Sequence, residues 1–219
     1  GRALDDYERA IQLSPSSVEA WLHRAYLLHQ IGRSKEALEH YDRVLEMEPD
    51  NALVLRNKGV LLLEESRAQE AIGVLDKAID LEPEEPDNYY NRGVAHRDLE
   101  SYEQAIDDFS SALAAKPRDT DYLMNRGHCY EQKGSFGKAL SDYTKACSIS
   151  PENPMAHYNR GCFHLEQGNL HSALTDLSVA LRLNPNYRAA LVARARVNKG
   201  LGRYEKAKLD LQRARELGR

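Results

Sequence analysis

Four asparagines are the residues most able to do chemistry with a partner. Asn57, Asn91, Asn125 and Asn159 recur at intervals of 34 residues, with His23 before them and Ala193 after them in the same register. A side-chain amide donates and accepts, so a row of them can bridge an extended peptide backbone in both directions, whatever its side chains. The competing use is local, with each amide capping or bridging backbone inside the scaffold. A second register is basic throughout: Arg24, Lys58, Arg92, Arg126, Arg160 and Arg194. Asp6, Asp108, Asp142, Asp176 and Asp210 form an acidic register. The two registers are expected to form a structural Arg–Asp ladder, because a partly buried Arg is rarely left unpaired. The rival is a stripe that binds anions. Catalytic patterns are weaker. Gly134-Ser-Phe-Gly137-Lys138 lacks the spacing of a phosphate loop. Asp107 and Asp108 are neighbours on a helix, so they point about 100° apart and cannot converge. His157, His164 and His171 stand seven residues apart. They are read as partly buried structural histidines, because a metal site needs three or four converging ligands. No catalytic residue, metal ligand or cofactor is expected.

The elements that must position these residues follow from one period. Pro15, Pro49, Pro83, Pro117, Pro151 and Pro185 are each 34 residues apart, the mark of stacked supersecondary units. Small residues recur at Ala3, Ala37, Ala71, Ala105, Ala139, Ala173 and Ala207, and bulky ones at Tyr7, Tyr41, Leu75, Phe109, Tyr143, Leu177 and Leu211. A third column runs Ala10, Val44, Ala78, Ala112, Ala146, Ala180 and Ala214. Spacings of 4, 3 and 7 put all three on one helical face. An earlier helix in each unit stops at Gly32, Gly134, Gly168 or Gly202, and Pro86 and Pro154 stand at first-turn positions. Each unit is therefore a helix, a tight turn, a second helix and a proline-ended loop. A lone hairpin of this length buries too little apolar surface to fold, so neighbours must share stability.

This pattern resembles the tetratricopeptide repeat family over the whole chain, matching it at Trp21, Gly59, Gly93, Gly127, Gly161, Tyr130 and the alanine and proline columns. The resemblance implies an all-α, right-handed superhelix of antiparallel helix pairs. Residues 18–51, 52–85, 86–119, 120–153, 154–187 and 188–219 are expected to be its repeats. Residues 1–17 supply only the second helix of an earlier one. It also implies that first helices line a concave groove. Tyr26, Tyr90, Met124, His128, Tyr158, Arg196 and Lys199 would then accompany the four asparagines as peptide-binding residues. The row looks like the asparagine ladder of O-linked N-acetylglucosamine transferases. The carboxylate clamp of chaperone-binding members is not met. The implied function is a non-catalytic interaction scaffold for a peptide segment or partner protein, with the substrate-recognition arm of a larger enzyme as the alternative.

Charge adds direction. Residues 1–110 carry 12 Lys and Arg against 24 Asp and Glu, whereas 111–219 carry 18 against 10. An elongated fold would be an electrostatic dipole, able to orient a bipolar ligand and to drive weak head-to-tail self-association. Lys208 and Arg215 turn two otherwise apolar columns basic, as a terminal cap would. The chain is thus expected to end its array and to begin at a cut. Overall acidity and the lack of a basic-aromatic stripe argue against nucleic acid, and no apolar run is long enough for a membrane helix. Three cysteines without a close pair suit a reducing, cytoplasmic compartment.

Overall fold

A computed structural model describes residues 2–218, in which thirteen α-helices and no strands occur. The chain divides into two compact units, 1–115 and 116–219. The division coincides with the charge split, because all 24 acidic residues of the first half lie in unit 1.

Unit 1 contains α1 (Arg2–Leu13), α2 (Val18–Gln30), α3 (Ser34–Met47), α4 (Ala52–Glu64), α5 (Ala68–Leu81), α6 (Pro86–Asp98) and α7 (Tyr102–Ala115). After the single helix α1, the helices form the hairpins α2–α3, α4–α5 and α6–α7, each packed against the next. The first helices begin at side-chain caps. Ser17 Oγ accepts from the Ala20 N–H at 3.3 Å and Asn51 Oδ1 from the Val54 N–H at 3.1 Å, contributions of about 1 kcal/mol each. They end in a left-handed residue, at Gly32, Ser66 and Glu100, with φ of 75°, 59° and 58°. The second helices α3 and α5 lack a side-chain cap of that kind. Instead Arg33 and Arg67 fork onto Glu36 and Glu70, three residues on.

The small and bulky columns meet as their spacing requires. Ala37, Tyr41, Val44, Ala71, Leu75 and Phe109 are buried. Gly93 lies against Phe109 so closely that an added Cβ would sit 2.8 Å from the ring. That approach sets the spacing of α6 and α7.

Unit 2 contains α8 (Thr120–Gln132), α9 (Phe136–Ile149), α10 (Pro154–Glu166), α11 (Leu170–Leu183), α12 (Arg188–Gly200) and α13 (Tyr204–Glu216), paired as α8–α9, α10–α11 and α12–α13. Its core joins Ala173, Leu177, Ala180, Leu181, Ala190, Leu191 and Val197. Gly161 abuts Leu177 as Gly93 abuts Phe109, with 2.9 Å to an added Cβ. Lys208 and Arg215 are exposed on α13, as are Tyr204 and Leu209.

Candidate functional site: the first-helix face

The asparagine row sits on first helices, one per pair. Asn57 on α4 and Asn91 on α6 belong to unit 1, and both are half-buried. Neither side-chain amide makes a hydrogen bond with another described residue. Their donors and acceptors are unspent, on two helices that pack directly together. Tyr26, 52% exposed on α2, is on offer to the same face. Tyr90, next to Asn91, is tied by its ring to Phe109, with centroids 5.7 Å apart.

In unit 2 the corresponding amides are engaged. Asn125 Nδ2 donates to the Asp121 carbonyl one turn back at 2.9 Å. Asn159 Nδ2 points at the Met124 sulfur at 3.4 Å, and Met124 is itself buried at 4% exposure. Tyr158 packs against Tyr187 with the rings tilted by 41° and centroids 4.9 Å apart, and burial together with Cys162 pushes its phenol pKa up. His128 is exposed. Arg196 pairs with Glu166 at 3.2 Å, and Lys199 is exposed near the end of α12. Sequence reasoning passed over Glu131. This half-buried carboxylate on α8 accepts from the Tyr143 hydroxyl at 2.9 Å. Burial raises its pKa.

The basic register behaves as a ladder. Arg92, Arg126, Arg160 and Arg194 each grip both oxygens of Asp108, Asp142, Asp176 and Asp210, at 2.6–2.9 Å. Each pair links the two helices of one hairpin, 16 residues apart. The aspartates are buried, at 5–7% exposure, so these planar bidentate contacts satisfy charge as well as geometry. The first two rungs differ. His40 and Val74 stand where the aspartates would be, and there Arg24 and Lys58 turn back to Glu8 and Asp42 of the preceding second helix. Arg92 does both, reaching Asp76 at 2.7 Å as well as Asp108. Asp6 is exposed on α1 and takes no part. The anion-stripe alternative loses its basis, because these cations are already paired.

Two of the three histidines have structural roles. His157 Nε2 lies 3.0 Å from the Pro151 carbonyl. Trp21 Nε1 donates to the Pro15 carbonyl over the same distance and the same six-residue step. Burial lowers the pKa of His164. His171 is exposed at the start of α11. Among the described residues no group of three or more His, Cys, Asp or Glu side chains is placed to hold a metal ion.

Models of the tetratricopeptide repeat match residues 1–46, 30–86, 90–154 and 154–187. Among solved structures, the chain is similar to YrrB, described as a tetratricopeptide repeat protein with an unusual peptide-binding site. That similarity is 25% identity, covering 86% of this chain and 97% of that one, with a TM-score of 0.67. The MamA protein is 24% identical, over 77% and 92% of the two chains, with a TM-score of 0.68. A tetratricopeptide repeat protein from Parabacteroides merdae, 18% identical, shares the fold over 99% of this chain and 86% of that one, with a TM-score of 0.83. No curated protein matches the sequence.

Proposed function

The chain belongs to the tetratricopeptide repeat family, and from that premise we propose that it is a protein-interaction scaffold whose first-helix faces hold an extended peptide. The observation that carries this reading is the pair Asn57 and Asn91. Both amides are half-buried, neither bonds to another described residue, and they stand on packed helices of unit 1. A peptide strand crossing α4 and α6 would present its N–H and C=O groups to them in turn. Tyr26 supplies apolar area, and Tyr side chains add contact surface at low entropic cost. The peptide-binding description of YrrB is consistent with this use of the fold.

In unit 2 the same face reads differently. Asn125 and Asn159 spend a donor inside the unit, so side chains carry more of the recognition there. Tyr158, His128, Arg196 and Lys199 offer the groups, and Met124 supports Asn159 from beneath. A peptide on unit 1 is then held with tolerance of its sequence, and one on unit 2 with more discrimination.

The test is to select peptides from a random library on the intact chain and titrate them against variants. Each unspent amide is worth about 0.5–1.5 kcal/mol to a bound backbone. Asn57→Ala with Asn91→Ala should therefore weaken a selected peptide by roughly 10-fold, with the thermal midpoint unchanged within a few degrees. Unchanged affinity, or a double variant that unfolds, overturns the reading.

A further inference from the structure

A second surface lies on the other side of unit 2, between the second helices α11 and α13. It is a groove of about 770 Å³, lined by Leu174, Ser178, Asn198, Arg203, Lys206, Leu209 and Arg213, among others. Unit 1 has the groove of the same register between α3 and α5, about 580 Å³ in volume.

In the unit 1 groove two of the cations are paired, while Lys77, the counterpart of Arg213, makes no ion pair among the described residues. Arg67 is clamped by Glu70 in a two-bond fork, and Lys58 is paired with Asp42. In unit 2 both of those carboxylates are gone. Lys206 stands at the position of Glu70 and Ser178 at that of Asp42. Arg203, the counterpart of Arg67, thereby loses its clamp. Among the described residues, Arg203, Lys206 and Arg213 make no ion pair. Arg213 reaches only the Asn186 amide oxygen, at 3.5 Å. Of the two carboxylates in the lining, Asp210 is paired with Arg194, and Glu216 accepts one bond from the Gln212 amide at 3.1 Å, which leaves the cations in excess.

Two further differences point to a ligand. Leu209, 65% exposed, replaces Gly73 and gives the groove an apolar wall beside Leu174. Asn198 replaces Leu62. It is 3% exposed, donates to Asp210 at 3.3 Å, and leaves its Oδ1 buried with no donor. A buried acceptor without a partner is costly and calls for one.

We propose that this groove binds an acidic peptide segment carrying an apolar residue. Its carboxylates meet Arg203, Lys206 and Arg213, its apolar side chain covers Leu209 and Leu174, and a peptide N–H completes Asn198. A peptide is favoured over RNA because the lining holds no aromatic side chain on which a base could stack. The site is independent of the first-helix face.

The test uses the intact chain and a fluorescein-labelled octapeptide of Glu and Asp with one central Leu, followed by anisotropy. Lys206→Glu recreates the clamp seen at Arg67 and should weaken binding about 10-fold or more. Leu209→Gly should weaken it by several-fold, as should replacing the peptide's Leu by Ser. Lys208→Glu, on the same helix but outside the groove, should leave affinity within about twofold. Affinity untouched by Lys206→Glu in a chain of unchanged helicity overturns the proposal. So does loss equal to it in Lys208→Glu, which would mean diffuse attraction to positive charge. Displacement of the peptide by polyuridylate at equal charge concentration would assign the groove to nucleic acid instead.

Discussion

Arg160 and Asp176 face each other across the α10–α11 hairpin, with Nε and Nη2 of the arginine at 2.8 and 2.7 Å from the two carboxylate oxygens. Asp176 is 5% exposed, and His157 and His164 stand 3.7 and 4.0 Å away. Removing the carboxylate would leave a part-buried guanidinium beside two imidazoles. Asp176→Ala should therefore cost about 3 kcal/mol in urea denaturation. Arg160→Met with Asp176→Leu removes both charges together and should cost less than about 1 kcal/mol. Equal losses in the two variants would mean that shape, not charge, is what the rung supplies.

His40 makes unit 1 acid-sensitive. Its Nδ1 faces the Glu36 carbonyl at 2.8 Å, which assigns the proton there, and its Nε2 accepts from Arg24 at 2.7 Å. Burial holds its pKa below the ordinary histidine value, and Arg24 adds to the effect. The unfolded imidazole takes up its proton near pH 6.5, before the folded one does. Stability from this group is thus complete above about pH 6.5 and falls as pH drops below it, by at most about 1.4 kcal/mol per pH unit. His40→Asp puts a carboxylate in the place that Asp108 takes beside Arg92, and it should flatten that part of the pH profile measured by thermal unfolding.

Glu100 ends α6 with φ of 58°, in a register where Gly134, Gly168 and Gly202 adopt the same left-handed backbone. A side chain there costs about 1 kcal/mol, partly offset by its lower entropy when unfolded. Glu100→Gly should stabilise the chain by about 0.5–1 kcal/mol, and Gly134→Ala should destabilise it by a similar amount. The shift in urea midpoint at constant slope reports both.

Two tyrosines separate packing from hydrogen bonding. Tyr41 is fully buried, its hydroxyl has no partner, and burial pushes its pKa up to about 12. Tyr143 is also buried, but its hydroxyl donates to Glu131. Tyr41→Phe should be neutral or stabilising, whereas Tyr143→Phe should cost about 1 kcal/mol. Calorimetry of the two single variants decides it.

The helices were legible because every repeat restates the same spacing, so a weak local signal at any one place is supported by its phase-mates. The same redundancy made the Arg–Asp rungs readable. What escaped was their direction in the first two pairs. The residues that break the acidic register, His40 and Val74, are visible in the sequence, and so are Glu8, Asp42 and Asp76, which form an acidic register of their own. Only Arg92 has a carboxylate 16 residues away on both sides; Arg24 and Lys58 have one only before them, so their direction was there to be read once the earlier acidic register was followed beside the later one. Met124 escaped for another reason. A residue on the binding face can still be covered by its neighbour in the next repeat, here Asn159.

Arg92, gripping Asp76 on one side and Asp108 on the other, sits where one wiring scheme gives way to another. In unit 1 the ties of Arg24, Lys58 and Arg92 run backwards, so each hairpin is stitched to the helix before it. In unit 2 Arg160 and Arg194 close each hairpin on itself, and the ion pair between the two hairpins is the exposed Arg196–Glu166 contact, outside this register. Amide exchange should register the contrast. Protons of α2 through α6 should exchange together, as one block, while α10–α11 and α12–α13 should open hairpin by hairpin, with distinct opening energies.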